Sequence, residues 1–133
     1  KKYGSNKISD DDLAELRIRF KKLFETDKVF TQPDLRVANF ARMLNTQPHI
    51  LSSFINSEYN KSFTEMVHAS RIEEFKKRVV NNDHENFSIM GIAYDVGYSS
   101  KSVFNTAFKK YTGKTPSEYI AARRDNIILL RSV

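Results

Sequence analysis

Apolar residues recur along this chain at intervals of three and four, the spacing that places side chains on one face of an α-helix. Polar residues with capping potential mark several helix starts, as at Ser62 with Glu65, and no stretch of strand length alternates with a period of two. We therefore predict an all-α fold of about seven helices with essentially no sheet. The apolar stripes behind this prediction are Leu13 to Leu23, Val37 to Leu44, Leu51 to Ile55, Phe63 to Val79, Ile89 to Val96 and Phe104 to Tyr111, with a seventh helix starting near Thr115.

One helical unit occurs twice, about 52 residues apart. Each copy consists of a short helix, a tight turn, a second helix, a sharp stop and a capped third helix, and the second copy has one extra residue in its turn. By dimension the unit is a helix-turn-helix. At a shift of 52, Val37, Phe40, Ala41 and Leu44 coincide with Ile89, Ile92, Ala93 and Val96; at a shift of 53, Leu51, Phe54 and Ile55 coincide with Phe104, Ala107 and Phe108.

The repeat sets the predicted organisation of the chain. The helix that links the two copies (62–82) has about 20 residues and, at 1.5 Å per residue, is about 30 Å long. One turn of B-DNA is about 34 Å, so this length is compatible with the second helices of the two copies lying in successive major-groove segments. Residues 29–34 look like a connector, and residues 82–86 look like a polar loop. The predicted parts are a lead-in segment with the first helix (1–34), the first helix-turn-helix (35–61), the linking helix (62–82), the second helix-turn-helix with a closing helix (87–124) and a C-terminal tail (125–133).

The second helix of each copy has an outward face of mostly short polar side chains. Such side chains suit the base edges of the major groove, where Asn pairs with adenine, Ser and Thr reach several edges, and Lys donates to guanine. An ordinary helix hairpin with a solvated polar face is the alternative, and the presence of two copies favours DNA. The candidate base-reading residues are Lys101, Ser102, Asn105 and Thr106 in the second copy and His49, Ser52, Ser53 and Asn56 in the first.

The charge of the chain points to a polyanion as partner. Its formal net charge is +6, and residues 98–124 contain six basic residues against one acidic residue. Charge alone does not separate DNA from RNA or acidic lipid, and a protein-interaction module that binds an acidic partner stays open as an alternative. The candidate phosphate contacts, which include residues near helix N-termini, are Gln47, Lys61, Ser99, Ser100, Lys109, Lys110, Lys114 and Thr115.

Several classes of function are disfavoured by composition. The chain has no Cys, which excludes disulfide scaffolds, thiol catalysis and cysteine-bound metals. His49, His68 and His84 do not have the spacing of a metal-binding helix, so we expect no metal and no cofactor. Neither a phosphate-binding glycine loop nor a partnered nucleophile appears, so we expect no enzyme. The aliphatic run from Ile127 to Leu130 is far shorter than a membrane span.

The stretch from Ile89 to Tyr119 resembles the signature of the AraC/XylS family of bacterial transcription regulators. It reads I-x-x-I-A-x-x-V-G-Y-S-S-x-S-x-F-N-x-x-F-K-K-Y-T-G-K-T-P-S-E-Y. The resemblance covers about Leu35 to Arg124. Its recognisable positions are Ala93, Gly97, Phe104, Phe108, Lys109, Gly113, Pro116 and Tyr119, and in the first copy and linking helix Leu35, Ala41, Leu51, Phe63 and Arg71.

The resemblance implies two helix-turn-helix units bound to adjacent major-groove segments of double-stranded promoter or operator DNA. It also implies an N-terminal sensing or dimerising region elsewhere in a longer protein, and RNA polymerase as a candidate partner. We expect this part of the protein to be cytoplasmic, and the lead-in from Lys2 to Asp12 is similar to that of regulators with a membrane or periplasmic sensor, which admits a membrane-anchored full-length protein. The chain departs from the family at Asn60, where Gly is usual, and at Phe75, where a small residue is usual, which implies a different packing of the linking helix.

Overall fold

The computed structural model describes residues 8–81 and 88–132, with side chains described as far as residue 124. The described residues form seven α-helices and no strand, which confirms the predicted fold class. The predicted polar loop at 82–86 lies outside the described residues. The helices are α1 (Asp10–Lys21), α2 (Val37–Met43), α3 (Pro48–Tyr59), α4 (Phe63–Asn81), α5 (Ile89–Asp95), α6 (Lys101–Thr112) and α7 (Pro116–Ser132).

Reciprocal capping boxes start α4 and α7, as the sequence predicts. The Ser62 backbone N–H donates to Glu65 Oε1 at 2.8 Å, and the Glu65 N–H donates to Ser62 Oγ at 3.1 Å. The same pair of bonds joins Thr115 and Glu118, at 2.8 and 3.2 Å. Each box satisfies two backbone donors that would otherwise lack a partner at a helix start.

The segment after α1 is more ordered than the predicted connector. The α1 helix continues into a π-helical turn at Lys22–Thr26, and Lys28 then adopts a left-handed conformation with φ of 51°. A 3₁₀ turn follows at Val29–Thr31, and both Val29 and Phe30 are buried. The sequence shows the polar residues that break the helix here, but not that the two apolar residues fold back into the core.

The chain divides into two compact units, unit 1 (Lys1–His68) and unit 2 (Ala69–Val133), and each has its own apolar core. In unit 1, Phe20 is surrounded by aromatic rings, with ring centroids 5.0 Å from Phe24 and 5.3 Å from Phe54. In unit 2, Phe75 lies against Phe104 and Phe108, with ring centroids 5.1 and 5.4 Å apart. The five phenylalanines predicted as core are all buried, namely Phe20, Phe40, Phe54, Phe104 and Phe108.

The last helix extends beyond the predicted closing helix. α7 continues to Ser132, so its backbone is helical through most of the segment set apart as a tail. The side chains from Ile127 to Leu130 lie outside the described ones. Among the described residues, no helix has both the length and the apolar character needed to cross a bilayer.

Thr46 and Tyr98 occupy the same position in the two copies and differ in how well they are accommodated. The backbone N–H of Thr46 donates to the Ala41 carbonyl at 2.9 Å, and that of Tyr98 donates to the Ala93 carbonyl at 3.0 Å. Tyr98 is almost fully buried. The buried hydroxyl of Thr46 has no hydrogen-bond partner among the described residues.

We expect Thr46→Val to raise the free energy of unfolding by about 1 kcal/mol, because a buried hydroxyl without a partner costs about 1–3 kcal/mol. The matched control is Thr112→Val, since the Thr112 hydroxyl donates to the Phe108 carbonyl at 2.8 Å and accepts from the Lys114 N–H at 3.1 Å. That variant should lose about 1 kcal/mol. Urea unfolding of both variants measures the two changes, and losses of similar size would contradict the expectation.

Candidate nucleic-acid interface

The turns of the two helix-turn-helix copies share a residue with positive φ at the equivalent position and two equivalent backbone hydrogen bonds. Asn45 and Gly97, which coincide in the repeat, both have positive φ, at 56° and 117°. The helices that follow also end alike, at Asn60 with φ of 56° and at Gly113 with φ of 80°. The corresponding hydrogen bonds are Asn45 N–H to the Arg42 carbonyl and Gly97 N–H to the Tyr94 carbonyl, both 3.1 Å, and Thr46 N–H to the Ala41 carbonyl and Tyr98 N–H to the Ala93 carbonyl.

In unit 1, α3 is fixed by its apolar face and by an ion pair. Ile50, Leu51, Phe54 and Ile55 are buried on that face. On the exposed side, Arg17 of α1 donates through Nε and Nη2 to both carboxylate oxygens of Glu58, at 2.8 and 2.9 Å. The hydrogen bond from Arg17 lowers the pKa of Glu58 and is a two-point tether between α1 and α3.

In unit 2, α6 also has a buried apolar face, and a side chain caps the start of this helix, which α3 lacks. Phe104, Ala107 and Phe108 are buried. The Ser100 hydroxyl accepts the Val103 N–H at 3.3 Å and caps the helix. Gly113 ends it in a left-handed conformation. The opposite face of α6 is therefore held in place and open to solvent.

The structure exposes all eight candidate base-reading side chains, and it groups them by copy. In α6, Ser102, Thr106 and Lys109 lie along one exposed stripe at intervals of four and three, with Lys101 and Asn105 beside it. That these side chains touch bases stays a prediction. The exposed candidates on α3 are His49, Ser52, Ser53 and Asn56, and those on α6 are Lys101, Ser102, Asn105 and Thr106.

The candidate phosphate contacts fall into two groups. Four are exposed, namely Ser99, Lys109, Lys110 and Lys114, and four are half-buried, namely Gln47, Lys61, Ser100 and Thr115. The hydroxyls of Ser100 and Thr115 already accept backbone N–H groups as helix caps. A phosphate contact from either hydroxyl would compete with that cap, so the exposed lysines are the stronger candidates.

The two second helices differ in charge. α6 includes Lys101, Lys109 and Lys110 and no acidic residue, whereas α3 includes no Lys or Arg and one acidic residue, Glu58. Lysine charges supply most of the sequence-independent attraction to DNA. We therefore expect α6 to contribute more than α3 to the affinity for DNA.

Glu118 makes the stability of the α7 cap dependent on pH. The Thr115 backbone N–H donates to its carboxylate and lowers the pKa of Glu118 below the ordinary value of 4.5. A carboxylate with a lowered pKa stabilises the fold fully above about pH 4.5, and this contribution disappears as the pH falls through the lowered pKa. The melting temperature of Glu118→Gln should therefore be lower than that of the wild type at pH 7, and the difference between the two melting temperatures should shrink towards pH 3. A melting difference of the same size at both pH values, measured by circular dichroism, would contradict this origin.

Arg71 is a structural residue of the second turn that sequence reasoning matched to the family but gave no role. Its guanidinium lies 5.3 Å from the ring centroid of Tyr98, and both side chains are buried. Burial lowers the pKa of Arg71 and raises the pKa of Tyr98. The pair supports the turn that precedes α6.

The histidines do not gather at a common site within the described residues. His49 is exposed on α3, His68 is half-buried on α4, and His84 lies outside the described residues. No group of three or more His, Asp or Glu side chains with metal-binding geometry occurs in the described part of the chain.

Val103 is an exposed residue of α6 that the sequence analysis left out. It exposes 49% of its surface. Helical spacing already separates it from Phe104, Ala107 and Phe108, and this was the signal available. The repeat obscures that signal, because Val103 coincides with Ile50, which is only 3% exposed.

Sequence comparison finds related regulators. A family profile described as a helix-turn-helix domain matches residues 40–122. The chain is 30% identical over 83 residues to the raffinose operon transcriptional regulatory protein RafR of Pediococcus pentosaceus, which covers 62% of this chain and 29% of that protein. The chain thus spans less than a third of the length of this curated relative.

Two solved structures are similar in fold. The C-terminal domain of AraT, a response regulator from Geobacillus stearothermophilus, has a TM-score of 0.69 and 30% identity, and the match covers 81% of this chain and 84% of that one. A DNA-binding transcriptional dual regulator from Escherichia coli K-12 has a TM-score of 0.64 and 25% identity, and the match covers 80% of this chain and 96% of that one.

Proposed function

Because this chain belongs to the AraC-type helix-turn-helix family and is a DNA-binding domain of that family, we propose that it reads a specific double-stranded sequence with both α3 and α6. The observation behind the proposal is the duplicated turn, with positive φ at Asn45 and Gly97, followed each time by a helix with an exposed polar face. Neither helix performs chemistry, so the domain acts by binding alone.

The chemistry of α6 supports base reading. Asn105 has the amide that pairs with adenine, and Lys101 has the ammonium that donates to guanine. Both lie on the exposed face of a helix whose start is capped by Ser100. A helix held in this way loses little conformational freedom on binding, which favours discrimination between bases.

The side chains of α3 support a weaker and more adaptable contact. His49, Ser52, Ser53 and Asn56 reach less far from the helix than Arg or Gln, and among these four only Asn56 has an amide that can pair bidentately with adenine. Water-mediated contacts and the local shape of the DNA then contribute more to selectivity. In this proposal the two helices occupy adjacent major-groove segments of one duplex.

The wider role follows from the family. We infer a regulator that positions the transcription machinery, including RNA polymerase, at a promoter in the bacterial cytoplasm. An N-terminal region of a longer protein supplies sensing or dimerisation. The membrane-anchored form of that longer protein remains part of the hypothesis and is tested by fractionating cells that express the full-length protein.

The proposal is tested by selection of bound sequences from a randomised duplex library, followed by anisotropy titration. The selected duplex should bind at least about a thousandfold more tightly than a scrambled one at physiological salt. The logarithm of affinity should fall linearly with the logarithm of salt concentration.

Two results would contradict the proposal. One is a selection that returns no enriched sequence, and the other is equal binding of the selected and scrambled duplexes. Equal binding to duplexes and to an acidic peptide of matched charge would instead support the protein-interaction module.

A further inference from the structure

Val103 is an exposed apolar side chain on α6, whereas the candidate base-reading residues of this helix are polar. Its branched aliphatic side chain is 49% exposed in the first turn of α6, while Phe104, Ala107 and Phe108 of the same helix are buried. A β-branched residue adds little to helix stability, and Val103 is not part of the core of unit 2. Neither helix propensity nor core packing therefore accounts for a valine here.

The position of Val103 on the helix indicates what it faces. Val103, Thr106 and Lys110 are spaced by three and four residues, so they form one stripe along the exposed side of α6. The first turn of a recognition helix approaches base edges, whereas a lysine in the last turn suits a phosphate. The Val103 N–H is also bonded to Ser100 Oγ, which fixes the backbone from which the side chain projects.

In the first copy, the aliphatic residue at the equivalent position is buried and packs in the core. Ile50 coincides with Val103 in the repeat but is only 3% exposed. It lines a groove with Leu13 and Leu16 of α1 and belongs to the core of unit 1. The exposed side chain is thus specific to the second copy.

We propose that Val103 contacts the C5-methyl group of a thymine in the major groove and selects thymine at one position of the sequence read by α6. Thymine is the DNA base with a methyl group on its major-groove edge. Contact between this group and the valine methyls removes apolar surface of both from water. This inference rests on the DNA-binding function proposed above and adds apolar readout to the polar readout described there.

The test replaces each thymine of the selected duplex in turn by deoxyuridine, which removes the methyl group and keeps the hydrogen-bonding edge. Each duplex is titrated with the wild type, with Val103→Ala and with Val80→Ala. Val80 on the linking helix α4 is 47% exposed and belongs to neither α3 nor α6, so it is a matched control. Circular dichroism melting checks that both variants fold.

We expect one deoxyuridine position to lower wild-type affinity about fourfold, the value of one buried carbon. The Val80→Ala variant should show the same loss. The Val103→Ala variant should bind the two duplexes equally, because the contact is already missing.

The inference is overturned if Val103→Ala still binds the deoxyuridine duplex about fourfold more weakly than the thymine duplex, as the wild type does. It is also overturned if no deoxyuridine position lowers the affinity of the wild type. A selected site without thymine in the part read by α6 would also overturn it. These failures are distinct from failure of the proposed function, in which the wild type would not separate selected from scrambled duplexes at all.

Discussion

Replacing Phe75 by Ala lowers the free energy of unfolding by about 3–5 kcal/mol, the usual cost of truncating a fully buried Phe. Phe75 is 0% exposed, and its ring lies against those of Phe104 and Phe108 in the core of unit 2. The truncation leaves a cavity directly beneath α6. Because small domains are stable by about 5–15 kcal/mol in total, DNA binding through α6 should also weaken at 37 °C.

Urea unfolding followed by circular dichroism measures the loss, with Val80→Ala as the control. Val80 lies on the same helix but is exposed, so its truncation should change stability by less than about 0.5 kcal/mol. Equal losses in the two variants, or a loss below about 1 kcal/mol for Phe75→Ala, would show that Phe75 does not support the core as described.

Replacing Lys101 and Asn105 together by Ala reduces affinity for the selected duplex by about 30-fold or more, because each good base contact is worth about 1–3 kcal/mol and two are lost. Both side chains are exposed on α6 and take no part in the buried core. Binding to a scrambled duplex should fall much less, since only the charge of Lys101 is lost there. The ratio of the affinities for the selected and the scrambled duplex should therefore fall, while the general attraction to DNA should change little.

Anisotropy titration of both duplexes at one salt concentration measures this change. Lys21→Ala is the control, because it removes an exposed positive charge from α1, outside both helix-turn-helix copies. Unchanged affinity of the double variant for the selected duplex would show that Lys101 and Asn105 do not read bases. A similar loss on both duplexes would assign them to phosphate.

Most of the fold was predictable because its signals are local. Apolar spacing predicted the seven helices, and the pairs Ser62 with Glu65 and Thr115 with Glu118 predicted two helix starts that the structure confirms. The features that were missed depend on tertiary contacts. Burial of Val29 and Phe30, directly after the helical path is interrupted at Lys28, is one of them, since periodicity does not show where a short segment returns to the core.

The candidate site shows the same division. Helical spacing was enough to predict that the eight base-reading candidates are exposed. It did not show that the Ser100 and Thr115 hydroxyls are used as helix caps. Nor did it separate Val103 from Ile50, because Ile50 is covered by residues of α1, which is distant in sequence, whereas Val103 is left exposed.

The central claim is that two helix-turn-helix copies read one duplex. Missing-nucleoside interference on the selected site tests it most directly, because each base is removed in turn and bound molecules are compared with free ones. We expect two clusters of interfering positions with centres about 10 base pairs apart, one helical turn, and loss of one cluster when Lys101 and Asn105 are both replaced by Ala. A single cluster, or interference spread evenly along the duplex, would contradict reading by both helices.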